Sequence, residues 1–130
     1  MFFQIDFDNR LAIYDQVVRQ IKFAVAGAVL KEGELVPSVR ELARELTINP
    51  NTVARAYRQL QDDGVLSPVR GTGLAVAAGA SQRCREERVK LIRAQLEQVL
   101  AEAKRSRLDP RQLRALVEQQ LAAIEAEEEK

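Results

Sequence analysis

The chain has 130 residues, 46% of them hydrophobic and 30% charged, with a formal net charge of +1. That length suits one domain with a core and an appendage, and so small a net charge is no argument for nucleic acid, so the distribution of charge has to decide. One cysteine and no histidine exclude an internal disulfide, point to a reducing compartment and leave no basis for a zinc site.

The first residues, MFFQIDFDNR, carry acids where a signal peptide needs bases. No apolar run approaches the roughly 20 residues of a membrane span, so a cytoplasmic protein with no membrane partner is expected. Phe2 to Phe7 alternates apolar and polar residues, which predicts a short extended arm with Phe3, Ile5 and Phe7 packed on the domain. Asp8 and Asn9 are placed to cap a helix over Leu11 to Ala26. That helix carries Tyr14, Val17, Val18, Ile21 and Val25 on one broad face. Gly27 is expected to end it in a left-handed conformation. Ala28 to Val36 reads as a connector turned at Gly33.

Pro37 to Leu60 is the stretch the chain is organised around. Ser38 and Glu41 form a capping box, and Leu42, Ala43 and Leu46 follow at helical spacing. The pattern stops at Thr47 and Ile48. Asn49 then caps a second helix, with Pro50 at its first position, where the missing N–H costs nothing. Val53, Ala56, Tyr57 and Leu60 form the second apolar stripe. A small residue at Ala43 and an apolar one at Ile48 let two helices approach around a tight turn, which is helix-turn-helix spacing.

Asp62-Asp63-Gly64 stops the second helix. Val65 to Arg70 and Leu74 to Ala77 are short strands around Gly71-Thr72-Gly73, and a hairpin directly after a helix-turn-helix is a wing. Ala77 to Ala80 is the expected domain boundary. Ser81 is expected to cap a helix to about Arg105, with Val89, Ile92, Leu96, Val99, Leu100 and Ala103 on one face. Asp109-Pro110 starts another, with Leu113, Leu116, Val117, Leu121 and Ile124. Such a helical hairpin buries little alone, so its stripes need a partner, and a second copy of the chain is the expected one.

No catalytic constellation is present. There is no histidine base, the pairs Asp62-Asp63 and Glu86-Glu87 do not face each other on a helix, and Gly71-Thr72-Gly73 is too short for a nucleotide loop. No cofactor or metal site is expected. Cys84 reads as an incidental surface thiol. The nucleic-acid candidates are named residues. Asn51 and Thr52 occupy the first turn of the second helix, the part that reaches base edges in a major groove. Arg55 lies one turn on. Arg40 and Arg44 on the first helix point to phosphate contacts, and Arg70, Gly71 and Thr72 form the wing tip. Arg44 and Arg58 serve equally well as a solvated face. Val39, Leu42, Leu46, Ile48, Val53, Tyr57 and Leu60 read as core, with the Tyr57 hydroxyl able to aim at a phosphate.

The stretch VPSVRELARELTINPNTVARAYRQLQDDGVLSPVRGTGLAVA, preceded by IYDQVVRQIKFAVAGAVLKEGELVPS, resembles the winged helix-turn-helix of GntR-type bacterial transcription regulators. INPNTVARAY is similar to the YtrA-like branch, and the short helical tail fits that branch. The resemblance covers about Phe3 to Ala77. By position it implies DNA contacts at Arg40, Asn49, Asn51, Thr52, Arg70 and Gly71. Two departures stand out. Pro50 and Ala54 occupy positions where many relatives carry arginine, which moves base readout onto Asn51, Thr52 and Arg55. Thr47 occupies a turn position where glycine is common, and a β-branched residue is strained at positive φ.

The expected protein is therefore mainly α with a small β-wing. Residues 1–78 would be a winged helix-turn-helix DNA-binding domain and 79–130 a helical hairpin used for dimerisation. It would act as a homodimeric transcriptional regulator, a repressor, on the double-stranded DNA of a pseudo-palindromic operator. No effector ligand is legible. The alternative is a winged-helix protein-interaction module, which the near-neutral charge favours.

Overall fold

The computed structural model describes residues 4–8 and 11–129. Phe2, Phe3 and Asn9, expected in the arm and the first cap, lie outside the described residues. In order, the elements are α1 (Ile13–Ala26), α2 (Val39–Leu46), α3 (Pro50–Asp62), β1 (Leu66–Val69), β2 (Gly73–Val76), α4 (Ala80–Arg105) and α5 (Pro110–Glu128). The architecture is mainly α with a small β-wing, as expected.

The chain divides into two compact units, residues 1–90 and 91–130. In the first, Val17, Ile21 and Val25 of α1 pack with Leu42 of α2, Val53, Ala56 and Leu60 of α3, and Leu66 and Val76 of the wing. Each of these side chains is almost fully buried. Ala80 and Cys84 join the same core, which carries the compact unit past the boundary expected near residue 78.

Helix ends follow local chemistry. Ser38 Oγ accepts the Glu41 N–H at 3.1 Å, and Asn49 Oδ1 accepts the Asn51 N–H at 2.8 Å. Each satisfies a backbone donor that the helix leaves orphaned. At the end of α2, Thr47 N–H donates to Arg44 O and Ile48 N–H to Ala43 O. This is the Schellman closure, with Thr47 in the left-handed region at φ 56°. Ile48 thereby folds back onto the core edge. The turn keeps the glycine geometry without the glycine.

Three expectations about helix ends are corrected. The α1 helix begins at Ile13 behind Ala12, which has no side-chain cap. Asp8 does not cap it: it lies four residues before Ala12, and its N–H donates to Asp6 Oδ1. At the other end of α1 the left-handed residue is Ala28, φ 61°, not Gly27, φ −87°. Val29 N–H closes onto Ala24 O, so the closure runs one residue later than the glycine. Ser81 lies inside α4, which starts at Ala80, and its hydroxyl bonds to Glu32 instead.

The wing is an antiparallel pair with Leu66 opposite Val76 and Val69 opposite Gly73. The connector adds to it, since Leu35 bridges Ala75 and Val36 N–H donates to Leu74 O. The second unit comprises the later part of α4 together with α5, whose cap is Asp109 Oδ1 on the Arg111 N–H at 2.8 Å. Leu100, Leu113 and Val117 line a shared cleft there. The stripe residues Val89, Ile92, Leu96, Val99, Leu116, Val117, Leu121 and Ile124 are about half exposed.

Candidate nucleic-acid interface

Two helices crossing at the Thr47–Ile48 turn place the start of α3 at the surface. Val53, Ala56, Tyr57 and Leu60 bury one side of α3, which leaves Asn51, Arg55 and Arg58 exposed on the opposite side. Asn51 and Arg55 are four residues apart and therefore share a helix face. Thr52 is half-buried beside them. Asn49 is exposed, with its carbonyl oxygen committed to the cap. Thr52 and Val53 N–H groups both reach Asn49 O. The first-turn donors of α3 are thus occupied within the chain, so an anion there meets side chains and the helix dipole rather than bare N–H groups.

Arg40 and Arg44 are exposed on α2. The wing tip, Arg70 to Gly73, is exposed and turns through Thr72 N–H to Val69 O at 2.9 Å. Gly71 sits there at φ 77°, and a Cβ would meet nothing within 4 Å. Backbone conformation, not space, requires the glycine. The Thr72 hydroxyl donates to Arg70 O at 3.2 Å, which stiffens the tip. An open groove of about 550 Å³, lined in part by Val39, Tyr57, Thr72 and Leu74, separates the wing from the start of α2.

The family model for bacterial regulatory proteins of the gntR family matches residues 13–76. The transcriptional repressor YtrA of Bacillus subtilis is 36% identical over 100 residues, 77% of each chain. The chain belongs to the GntR family, in its YtrA-like branch. Among solved structures, a GntR family transcriptional regulator from Listeria monocytogenes is 32% identical with a TM-score of 0.69, over 87% of this chain and 98% of that one. AraR(DBD), solved in complex with operator ORE1, is 26% identical with a TM-score of 0.50, over 58% of this chain and 95% of that one.

Within this GntR-family chain, two sequence readings need correcting. The Tyr57 hydroxyl does not face outward. It donates to Pro37 O at 2.7 Å, and the side chain is 3% exposed. Burial raises its pKa, and Glu41 and Glu45 add to the shift. The hydroxyl therefore ties α3 to the entry of α2 and is unavailable to a phosphate. Cys84 is not a surface thiol. It is fully buried, and burial pushes its pKa up, which leaves it the inert, protonated kind.

Two features had no local signal. Tyr14, expected in the apolar face of α1, carries the Arg55 guanidinium 3.7 Å above its ring centroid. Lys22, 5% exposed, reaches Asp63 Oδ2 and Glu87 Oε1, each at 2.8 Å. That pairing fastens α1 to the end of α3 and the first turns of α4. Among the described residues no group of His, Cys, Asp and Glu could hold a metal, and no helix is long and apolar enough to cross a membrane.

Proposed function

We propose that this chain is a sequence-specific transcriptional regulator, a repressor, that binds a pseudo-palindromic operator in double-stranded DNA as a homodimer. The observation that carries this reading is the exposed first turn of α3. Asn51 and Thr52 stand at the start of the second helix of a helix-turn-helix, flanked by the wing. In such a module that turn enters the major groove. Asn51 supplies the amide that pairs bidentately with adenine, and Thr52 a methyl and hydroxyl for thymine or phosphate. Arg40 on α2 takes a phosphate, Asn49 and Arg55 reach a base or the backbone, and Arg70, Gly71 and Thr72 meet the backbone or the minor groove at the wing tip.

The DNA-binding part occupies residues 1–78, with Ala80 and Cys84 at the start of α4 packed onto its core. Residues 79–130 supply the dimer contact through the half-exposed stripes of α4 and α5, which a lone hairpin cannot bury. Two α3 helices related by a two-fold axis then meet half-sites about one turn, roughly 10 bp, apart or somewhat more. The working compartment is the cytoplasm, and the chemistry requires neither cofactor nor metal.

Fluorescence anisotropy against the DNA upstream of its own gene and a scrambled duplex, across a salt series, tests the reading. Upstream DNA should bind at least about a thousandfold tighter, with log K falling linearly in log salt. Asn51→Ala should lower discrimination by about 1–3 kcal/mol and leave scrambled binding nearly unchanged. Equal losses on both duplexes would remove Asn51 from base readout. If neither duplex binds at low salt, the protein-interaction reading takes first place.

A further inference from the structure

We propose that Tyr14 is a positioning residue for DNA recognition, a platform whose ring face holds the Arg55 guanidinium ready for a backbone phosphate. The proposal rests on the DNA-binding reading above. The guanidinium carbon lies 3.7 Å from the Tyr14 ring centroid, well inside the roughly 6 Å at which a cation gains from the ring quadrupole. Tyr14 is half-buried, and the next turns of α1, with Val17, Val18 and Ile21, are anchored in the core. The platform is therefore fixed relative to α3. Arg55 is exposed and shares a face with Asn51, so the stacked group belongs to the surface proposed to meet DNA.

The geometry matters because of how arginine spends its donors. Stacking occupies the flat face of the guanidinium and leaves its N–H fork in the plane, where phosphate oxygens are met. A free arginine side chain loses much rotamer freedom on binding. One already held on an aromatic ring loses less, so its contact is stronger without any new hydrogen bond. Arg55 lies one turn inside the helix, behind the first-turn residues that reach the bases, and this points to the backbone as its target. Sequence alone assigns Tyr14 to the core and Arg55 to the surface, so the pairing is visible only in the folded chain.

The test is a double-mutant cycle in the full-length chain, read by anisotropy on a random-sequence duplex at low salt. The variants are Tyr14→Leu, Tyr14→Phe, Arg55→Gln and Tyr14→Leu with Arg55→Gln. Tyr14→Leu should weaken binding about threefold to fivefold, the ordering cost of one rotamer-rich side chain that the platform otherwise spares. Tyr14→Phe keeps the ring face and should bind as wild type. Arg55→Gln should weaken binding and reduce the salt slope by about one unit. Adding Tyr14→Leu to Arg55→Gln should then change nothing further. Urea midpoints of all four are measured alongside, because a merely structural tyrosine would lower stability equally in both Arg55 backgrounds without altering this pattern of binding.

Three results would overturn the proposal. Independent, multiplicative losses from Tyr14→Leu and Arg55→Gln would show that the two side chains do not act together. A loss in Tyr14→Phe equal to that in Tyr14→Leu would place the function in the hydroxyl. If wild-type protein shows no salt-dependent duplex binding, this proposal falls together with the DNA-binding reading. Either of the first two results in a protein that does bind removes the platform alone.

Discussion

Replacing Lys22 by methionine keeps the length of the side chain and removes its charge. The lysine is 5% exposed, and its Nζ lies 2.8 Å from both Asp63 Oδ2 and Glu87 Oε1. Without it, two carboxylates face each other with oxygens no further apart than twice that distance. At an effective dielectric of about 20, unit charges about 5 Å apart repel by roughly 3 kcal/mol. Asp63 and Glu87 are 30% and 39% exposed, so they turn toward water and much of that cost relaxes. The lost charged hydrogen bonds remain, and a net destabilisation of about 2 kcal/mol is expected. With a urea m-value of about 2 kcal/mol/M, the midpoint should fall by about 1 M at pH 7. Adding Asp63→Asn and Glu87→Gln to Lys22→Met should restore the part of it that is residual repulsion, because that goes with the charges, while the missing hydrogen bonds keep the midpoint below wild type. The pH dependence has a definite sign. Burial opposes the Lys22 charge, but bonds to Asp63 and Glu87 outweigh it and hold the pKa above its ordinary value. The contribution is therefore full below about pH 10.4, the unfolded value, and is lost as pH rises through the folded one. A midpoint within about 0.2 M of wild type, or no recovery in the triple variant, would refute the reasoning.

Thr47→Gly should stabilise the chain by about 0.5–1 kcal/mol. It removes a left-handed β-branched residue, φ 56°, against the entropy that glycine adds to the unfolded state. Thr47→Ala should give much less of that gain by thermal unfolding, and a loss with glycine would mean the threonine side chain holds the turn. Tyr57→Phe removes the donor from Pro37 O and should cost about 1 kcal/mol in urea unfolding. At saturating folded protein its DNA affinity should match wild type, and a large affinity loss would return the hydroxyl to the interface. Alkaline pH should unfold the protein early. Cys84, Tyr57 and Lys22 all have folded pKa values above their ordinary ones, so each stabilises below its unfolded value and ceases to as pH rises. Urea midpoints should begin to fall near pH 9, where a free thiol ionises, and Cys84→Ala should flatten that first part of the fall.

The sequence by itself determined the elements whose signals are local. Ser38, Asn49-Pro50 and Asp109-Pro110 mark helix starts because a cap bonds a backbone group two or three residues away, a distance the chain bridges on its own. The stripe through Val53, Ala56, Tyr57 and Leu60 fixed the outward face of α3 by periodicity, so Asn51 and Arg55 were legible as surface residues. The wing followed from two short strands with glycines between them. Tertiary structure decided what depends on residues distant in sequence. Lys22 is buried only because Asp63 and Glu87 arrive from two other helices to neutralise it. Cys84 is buried because α4 begins against the core, where periodicity alone placed an arginine-flanked surface thiol. Tyr57 looked free to reach a phosphate until the Pro37 carbonyl was brought to its hydroxyl. Ala28, not Gly27, takes the left-handed position because the closing bond from Val29 to Ala24 sets where the turn falls. Arg55 stands on Tyr14 because the core packs α1 against α3. Local propensity reaches a few residues along the chain, and these contacts join residues that only burial of a shared apolar core brings within reach.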